Sequence, residues 1–410
     1  MYNLNQLKEK AVLVGLNESD LNELEQLVYT AGAETILKMS YHNRKIDPAF
    51  YIGTGKVHEI KKAVSTVSAN LVVFDSELTP VQQRNLEEEI DVKVVDRAQI
   101  ILDIFARHAH SRESKIQVEL AQLEYRLPRL RGRGIEMSRL AGGIGTRGPG
   151  ETKLEVDRRR IEKRIYRLKE NLKKIKGTRS LQRSNRTDPL ISLVGYTNAG
   201  KSTLMNLLTN AKTFVADQLF ATLESTMRKI TLPVGRQIIL NDTVGFIDKL
   251  PHQLVASFRA TLEEIKEADI LIHVIDASHE DMERHIRVVQ EELRNLQVVD
   301  NTEIIKVFNK IDLISKDRLK NLELIYPDAV FISAHTSQRK DDLLNLLNSI
   351  IKEQMIELEI DLPYSAADWI EKIYNSGQVK TEKYEQEYIH LKALLPSPLA
   401  ARLNKYSSRN

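Results

Sequence analysis

The chain is predicted to be α/β and built in four parts, on three observations. Short apolar runs alternate with amphipathic helix patterns over the first hundred residues and again from Ile191 to Ile332, the pattern of parallel strands joined by helices. A glycine-rich turn, Gly195-Tyr196-Thr197-Asn198-Ala199-Gly200-Lys201-Ser202, stands between the apolar run Ile191-Ser192-Leu193-Val194 and the helix-forming stretch from Thr203 to Leu208. Two apolar stripes lie between these regions, and their spacing is that of helices packed along a seam.

Residues 1–106 read as a small N-terminal α/β domain. Strand-like runs at Ala11–Leu16, Leu71–Phe74 and Val92–Val95 alternate with helical patterns at Glu18–Tyr29, Lys56–Val67, Thr79–Glu89 and Arg97–Arg107. Gly53-Thr54-Gly55-Lys56 lacks the spacing of a phosphate loop and follows no long buried strand. It reads as a helix-start turn, with ATP or RNA contact there as the weaker reading.

Residues 107–187 form a predicted antiparallel helical hairpin. Ile116, Leu120, Leu123 and Leu127 recur at 4-3-4 spacing, and Ile161, Ile165, Leu168, Leu172 and Ile175 at 4-3-4-3. Two helices of roughly 15 and 25 residues would bury these stripes against each other and leave Arg158, Arg160, Lys163, Arg164, Arg167 and Lys169 outside. From Arg107 to Arg186 the chain carries 23 Lys and Arg against 9 Asp and Glu, a balance of +14, whereas the net charge of the whole is only +3. Charge concentrated in this way predicts a polyanionic partner. The connection 128–150 is rich in glycine and arginine, and long loops of this kind are usually functional or disordered. Arg131, Arg133, Arg139 and Arg147 are the candidate RNA contacts, since arginine forks phosphates and stacks on bases.

Residues 188–357 carry a nucleotide site. Only glycine at Gly195 and Gly200 lets backbone N–H groups wrap phosphate oxygens closely, and the helix that follows adds its positive end. Lys201 would reach the β- and γ-phosphates and Ser202 would ligate Mg²⁺. Asp242-Thr243-Val244-Gly245 follows the run Gln237–Leu240. There Asp242 would hold the metal through water and Gly245 would offer its N–H to the γ-phosphate. Loss of that phosphate would release the segment beyond Gly245. Asn309-Lys310-Ile311-Asp312 follows a buried-strand pattern, and Asp312 would accept from the guanine ring N–H and amine together. Adenine has no such pair, so discrimination on the order of 10⁴ is expected. Ser333-Ala334 would meet the base oxygen. A second metal-binding hydroxyl must come from the loop holding Phe220, Ala221, Thr222, Leu223 and Glu224, where Thr222 is the candidate and Thr226 the alternative. Together these motifs predict a GTPase.

Its hydrolytic machinery departs from the Ras example, in which a glutamine follows the switch glycine. Here the residue is Phe246, which cannot orient water, so slow hydrolysis without a partner is expected. Asn198 is a candidate potassium ligand, with a plain turn residue as the alternative. Residues 358–410 read as a small C-terminal α+β domain, with a short helix at Ser365–Tyr374 around the only tryptophan, Trp369, and an alternating strand at Glu387–Leu395.

Composition excludes several classes. At 410 residues with 42% apolar content the chain has enough for two or three cores, and no apolar stretch reaches the ~20 residues a membrane span needs. With no cysteine there is neither a disulfide framework nor a thiolate metal site, and the ten histidines form no ligand-like cluster. A cytoplasmic location is expected.

Longer matching stretches carry a family resemblance: Phe74-Asp75 with Gln83-Arg84-Asn85-Leu86, Asp96-Arg97 with Ile100–Phe105, Gln117–Leu123, and Gly142–Glu155. On these the chain resembles the HflX family of ribosome-associated bacterial GTPases, in the Obg-related group, over nearly its full length. The resemblance implies GTP and GDP binding, Mg²⁺, hydrolysis stimulated by the large ribosomal subunit, and a monomer off the ribosome. It further implies that the hairpin tip reaches the peptidyl-transferase region and that the GTP form separates stalled or idle ribosomes into subunits. A large-subunit assembly GTPase, or an ATP-driven RNA-remodelling protein acting through the N-terminal domain, are the alternatives. Glu224-Ser225 departs from a common Asp-Pro and Lys153 from a common glutamine.

Overall fold

The computed structural model describes residues 8–42, 46–130, 153–183, 188–209, 219–220, 222–233, 236–249, 265–298 and 302–407. The four tip arginines Arg131, Arg133, Arg139 and Arg147, and the switch-loop residue Ala221, lie outside the described residues. Two compact units are formed: Met1–Ile175 with Gln218–Leu223 and Lys249–Arg259, and Lys176–Asp217 with Glu224–Asp248 and Ala260–Asn410.

The first unit opens with β1 (Lys10–Gly15), α1 (Glu18–Thr30), β2 (Glu34–Ser40), α2 (Thr54–Val67), β3 (Leu71–Phe74), α3 (Pro80–Ile90), β4 (Lys93–Asp96) and α4 (Arg97–His108). The four strands are parallel in the order β2-β1-β3-β4. Strands β1 and β3 are almost wholly buried, which explains their unbroken apolar runs. Strand β2 was not legible: it is an edge strand in which only Met39 is buried, so its sequence shows no clean alternation. Gly53-Thr54-Gly55-Lys56 is a helix start, with Gly53 capping α2 and Lys56 paired to Glu59 at 2.9 Å.

Helices α5 (Arg112–Arg129) and α6 (Lys153–Arg183) follow. Ile116, Leu120, Ile165 and Leu168 form their shared core, with Leu123, Leu127, Ile161, Leu172 and Ile175 packed around it, so both stripes do meet. Register is set at the rim, where Arg164 donates twice to Glu119 (2.7 and 2.8 Å) and Lys169 pairs with Glu124 at 2.8 Å. The C-terminal end of α5 is anchored to the N-terminal α/β part, since the Tyr125 hydroxyl donates to Asp96 Oδ1 at 2.8 Å and Arg129 donates to the Leu78 carbonyl at 2.8 Å. Leu168 is 1% exposed, so Leu168→Ala is expected to remove about 2–4 kcal/mol of stability. Urea unfolding should show this loss and almost none for Tyr166→Ala, whose ring is exposed; equal effects would contradict the seam.

In the second unit the strands are β5 (Leu190–Gly195), β6 (Thr226–Thr231), β7 (Gln237–Asp242), β8 (Ile270–Asp276), β9 (Glu303–Asn309) and β10 (Val330–Phe331), with helices α7 (Lys201–Thr209), α8 (Met282–Asn295), α9 (Lys316–Ile325) and α10 (Lys340–Glu353). The sheet order is β10-β9-β8-β5-β7-β6, parallel except for the antiparallel edge strand β6. Ile191, Leu193, Ile238, Leu240, Ile272 and Val307 build the core on one face with α7 and α10. This parallel arrangement brings the carboxyl ends of β5, β7, β9 and β10 to one edge of the sheet, the usual place for a ligand. A last antiparallel sheet, β11 (Ile356–Pro363), β13 (Tyr388–Leu395) and β12 (Gln378–Tyr384) in that order, packs on α11 (Asp368–Ser376) and α12 (Ser397–Leu403). The sequence revealed one of its three strands.

The fold is therefore α/β with a central phosphate-loop sheet, an N-terminal α/β part with a helical hairpin, and a C-terminal α+β part. Among the described residues no helix is long and apolar enough to cross a membrane.

Candidate nucleotide site

The phosphate loop runs from the carboxyl end of β5 into α7, and two of its glycines are required by space. A Cβ on Gly195 would lie 2.3 Å from the Val274 carbonyl oxygen of β8, and one on Gly200 (φ +92) would lie 2.2 Å from Asn309 Nδ2. Each contact is shorter than side chains tolerate, so both positions demand glycine. The loop leads straight into the N-terminal end of α7, whose positive partial charge favours an anion there. Thr197 adds a buried hydroxyl that finds no hydrogen-bond partner among the described residues.

Lys201 arches back over the loop, donating from Nζ to the Gly195 carbonyl at 3.1 Å and the Tyr196 carbonyl at 2.8 Å. Its burial pushes the ammonium down to about 8, against the opposing pull of Asp242. Ser202 Oγ donates to Asp242 Oδ2 at 2.6 Å, so two hard oxygen donors meet at the start of α7. Such a pair fits Mg²⁺, which favours hydroxyl, carboxylate and phosphate oxygen. Thr222, the other predicted ligand, is half-buried just before β6, with Leu223 buried and Glu224 half-buried beside it. Phe220 is buried in the first unit with its ring edge-on to Phe105 at 4.7 Å.

Asp242-Thr243-Val244-Gly245 lies alongside the loop. The Thr243 hydroxyl donates to the Leu193 carbonyl at 2.6 Å, and beyond Gly245 the two segments pair as strands. Phe246 N–H donates to the Gly195 carbonyl at 3.0 Å, and Thr197 N–H to the Phe246 carbonyl at 2.7 Å. The Phe246 ring is 1% exposed. Its side chain is core, so the place where Ras has its glutamine offers only backbone.

At the base-binding end Asn309 is a lock rather than a reader. Its amide donates to the Ala199 carbonyl at 2.9 Å and accepts from Ala334 N–H at 2.9 Å, tying the phosphate loop to the Ser333-Ala334 turn. Lys310 takes a left-handed conformation (φ 65) and pairs with Asp276 at 2.7 Å. Ile311 is buried, whereas Asp312 projects exposed from the same short turn. Ser333 is fully buried and accepts from Thr336 N–H at 3.1 Å. Asn198 stands in the left-handed region at φ 61.

Several participants were not legible. The Tyr196 hydroxyl accepts from Asp248 N–H at 2.9 Å, its ring stacks on His285 at 3.7 Å, and Arg284 pairs with Asp248. Burial holds His285 neutral, down to about 4, which suits a stacking role. No spacing rule announces these contacts, because α8 reaches them only through the fold. Asp276 was accessible in principle, as a carboxylate ending the apolar strand β8.

Comparison with known proteins places these features in a family. Residues 18–106 match the family described as GTP-binding GTPase N-terminal, residues 108–186 the GTP-binding GTPase Middle Region, and residues 190–310 the 50S ribosome-binding GTPase family. GTPase HflX of Caldanaerobacter subterraneus subsp. tengcongensis is 47% identical over 97% of this chain and 94% of its own length. GTPase HflX of Escherichia coli K12 is 39% identical over 92% and 91% respectively. Among solved structures, a GTP-binding protein from Sulfolobus solfataricus in complex with GDP aligns over 83% of this chain and 98% of its own at 28% identity, with a TM-score of 0.45. With nearly full-length relatives at this identity and three consecutive family matches, the chain belongs to the HflX family of GTPases.

Proposed function

We propose that this GTPase docks its basic hairpin onto the RNA of the large ribosomal subunit, in the peptidyl-transferase region, and that its GTP form separates stalled or idle ribosomes. The observation that carries the reading is the balance of 23 basic against 9 acidic residues from Arg107 to Arg186 in a GTPase chain, in a segment whose helices α5 and α6 pack along one apolar seam. Arg158, Arg160, Lys163, Arg164, Arg167 and Lys169 all lie exposed on that arm, where they would meet phosphates. Arg131, Arg133, Arg139 and Arg147, in the connection between its helices, would enter the RNA.

The phosphates would be cradled by residues 195–202, with Gly245 on the γ side and Asn309, Lys310, Asp312, Ser333 and Ala334 around the base. Ser202 and Thr222, with Asp242 through water, would hold Mg²⁺, whose charge would neutralise the β- and γ-phosphates. Asn198 would hold K⁺. Because Phe246 is buried, the ribosome is expected to complete the hydrolytic site and so to stimulate turnover.

Density-gradient profiles of intact ribosomes mixed with the chain and a non-hydrolysable GTP analogue test the reading. Conversion to subunits is expected; binding without conversion would favour an assembly role. Replacing the four tip arginines with alanine should weaken docking at least ~10-fold and leave nucleotide affinity intact. An equal fall in both would overturn the division between arm and nucleotide site. Equal turnover in sodium and potassium would remove the role of Asn198.

A further inference from the structure

At the C-terminal sheet an open edge and three exposed rings meet. In the order β11-β13-β12, β12 is an edge strand of seven residues, and among the described residues no strand pairs with its outer side. Its neighbour β13 sets which way its side chains point: Glu382 and Tyr384 stand opposite Leu391 and Ile389, which are buried in the core shared with α11 and α12. Glu382 and Tyr384 therefore lie on the helix-covered face, at its open rim. Tyr374 reaches that rim from α11, and Tyr364 stands in the short turn after β11.

The hydroxyls of these tyrosines are held and their faces are not. Tyr374 donates to Glu382 Oε2, and Tyr364 to the Glu385 carbonyl at 2.7 Å. Hydrogen bonding to Glu382 likewise raises the Tyr384 phenol. Yet Tyr364, Tyr374 and Tyr384 are 47%, 52% and 68% exposed. Neighbouring rings in this part of the chain carry cations: Lys372 and Arg402 lie 4.7 and 4.8 Å from the centre of the Trp369 ring, and Lys405 lies 4.7 Å from that of Tyr406. Among the described residues no cation and no second ring covers the three tyrosines. Pinned hydroxyls with bare faces make rigid anchors that lose little entropy on binding, the kind of side chain enriched at the centres of interfaces.

The charge around them selects the partner. From Glu382 to Tyr388 three carboxylates, Glu382, Glu385 and Glu387, stand against the single cation Lys383. RNA phosphate would be repelled here, in contrast to the basic hairpin. A guanidinium fits, since it stacks flat on a tyrosine while donating to a nearby carboxylate. An extended backbone fits as well, because the outer side of β12 offers main-chain N–H and C=O groups to a further strand, whose alternate side chains would then share one face.

We propose that the rim of the C-terminal sheet is a docking site for an extended, arginine-bearing segment of a basic protein, which adds as a strand beside β12 and lays arginines on the Tyr374 and Tyr384 rings beside Glu382.

Fluorescence anisotropy of a labelled peptide alternating arginine and threonine, titrated with the full chain, tests this. Saturable binding is expected. Tyr384→Ala and Glu382→Gln should each weaken it about 10-fold, and Tyr29→Ala, which removes a comparably exposed ring from the N-terminal part, should leave it unchanged. Lysine in place of arginine should weaken it, since an ammonium cannot stack, and N-methylation of the peptide backbone should abolish it by removing the ladder donors. Equal binding in Tyr384→Ala, equal binding of the lysine or N-methylated peptide, or no binding to the wild type would each overturn the proposal. A single-stranded RNA that displaces the peptide and itself loses affinity in Tyr384→Ala would give the rings to RNA instead. Should Glu382→Gln fail to fold, the contrast between Tyr384→Ala and Tyr29→Ala decides alone.

Discussion

Asp312→Asn is expected to lower GTP affinity by on the order of 10³ to 10⁴ and to leave the fold unchanged. Asp312 is exposed on the turn that ends β9, so no packing depends on it. The scaffold beneath it is carried by Asn309, whose two hydrogen bonds to Ala199 and Ala334 involve no atom of Asp312. What the substitution removes is a carboxylate that accepts twice from guanine, and what it installs is an amide donor facing the base's own donors. Xanthine bears a carbonyl where guanine bears its amine, so the variant should gain affinity for xanthosine triphosphate as it loses GTP. Competition binding with the two triphosphates and ATP checks this. Unchanged GTP affinity, or activity surviving on ATP, would move the chemistry away from this turn and toward an ATP-driven protein.

How legible this site was depends on how local its determinants are. The glycine loop, Asp242–Gly245, Asn309–Asp312 and Ser333-Ala334 each announce themselves because backbone constraint and chemistry coincide within a few residues. The hairpin seam was legible for a related reason: Ile116 to Leu127 and Ile161 to Ile175 repeat with the helix period, and period survives without tertiary knowledge. Strand β2 and the C-terminal β11 and β12 were not, since edge and open-faced strands bury too little to imprint alternation. Least legible were contacts between distant segments. Lys249 with Asp20 and Asp75, and Phe220 with Phe105, join residues more than a hundred positions apart, and a single sequence carries no mark of such pairs.

Lys201 should make nucleotide binding depend on pH in a direction its burial dictates. With the side chain buried and the ammonium pushed down to about 8, the folded chain releases this proton between pH 8 and the ordinary lysine range near 10.5. Across that window the unfolded chain holds more protons, so folding stability gains from this group as pH rises. Binding runs the other way. A triphosphate beside Lys201 favours the ammonium, so binding takes up a proton above pH 8 and weakens by up to about tenfold per pH unit. Calorimetry in buffers of different ionisation enthalpy measures that uptake. Lys201→Met keeps the stem, removes the buried charge, and should cost roughly 10² to 10³ in triphosphate affinity while abolishing the proton uptake and leaving thermal stability equal or higher. Proton uptake that persists in the methionine variant would place the titrating group elsewhere. Loss of stability together with binding would mean that the lysine holds the loop through its bonds to Gly195 and Tyr196, rather than waiting for phosphate.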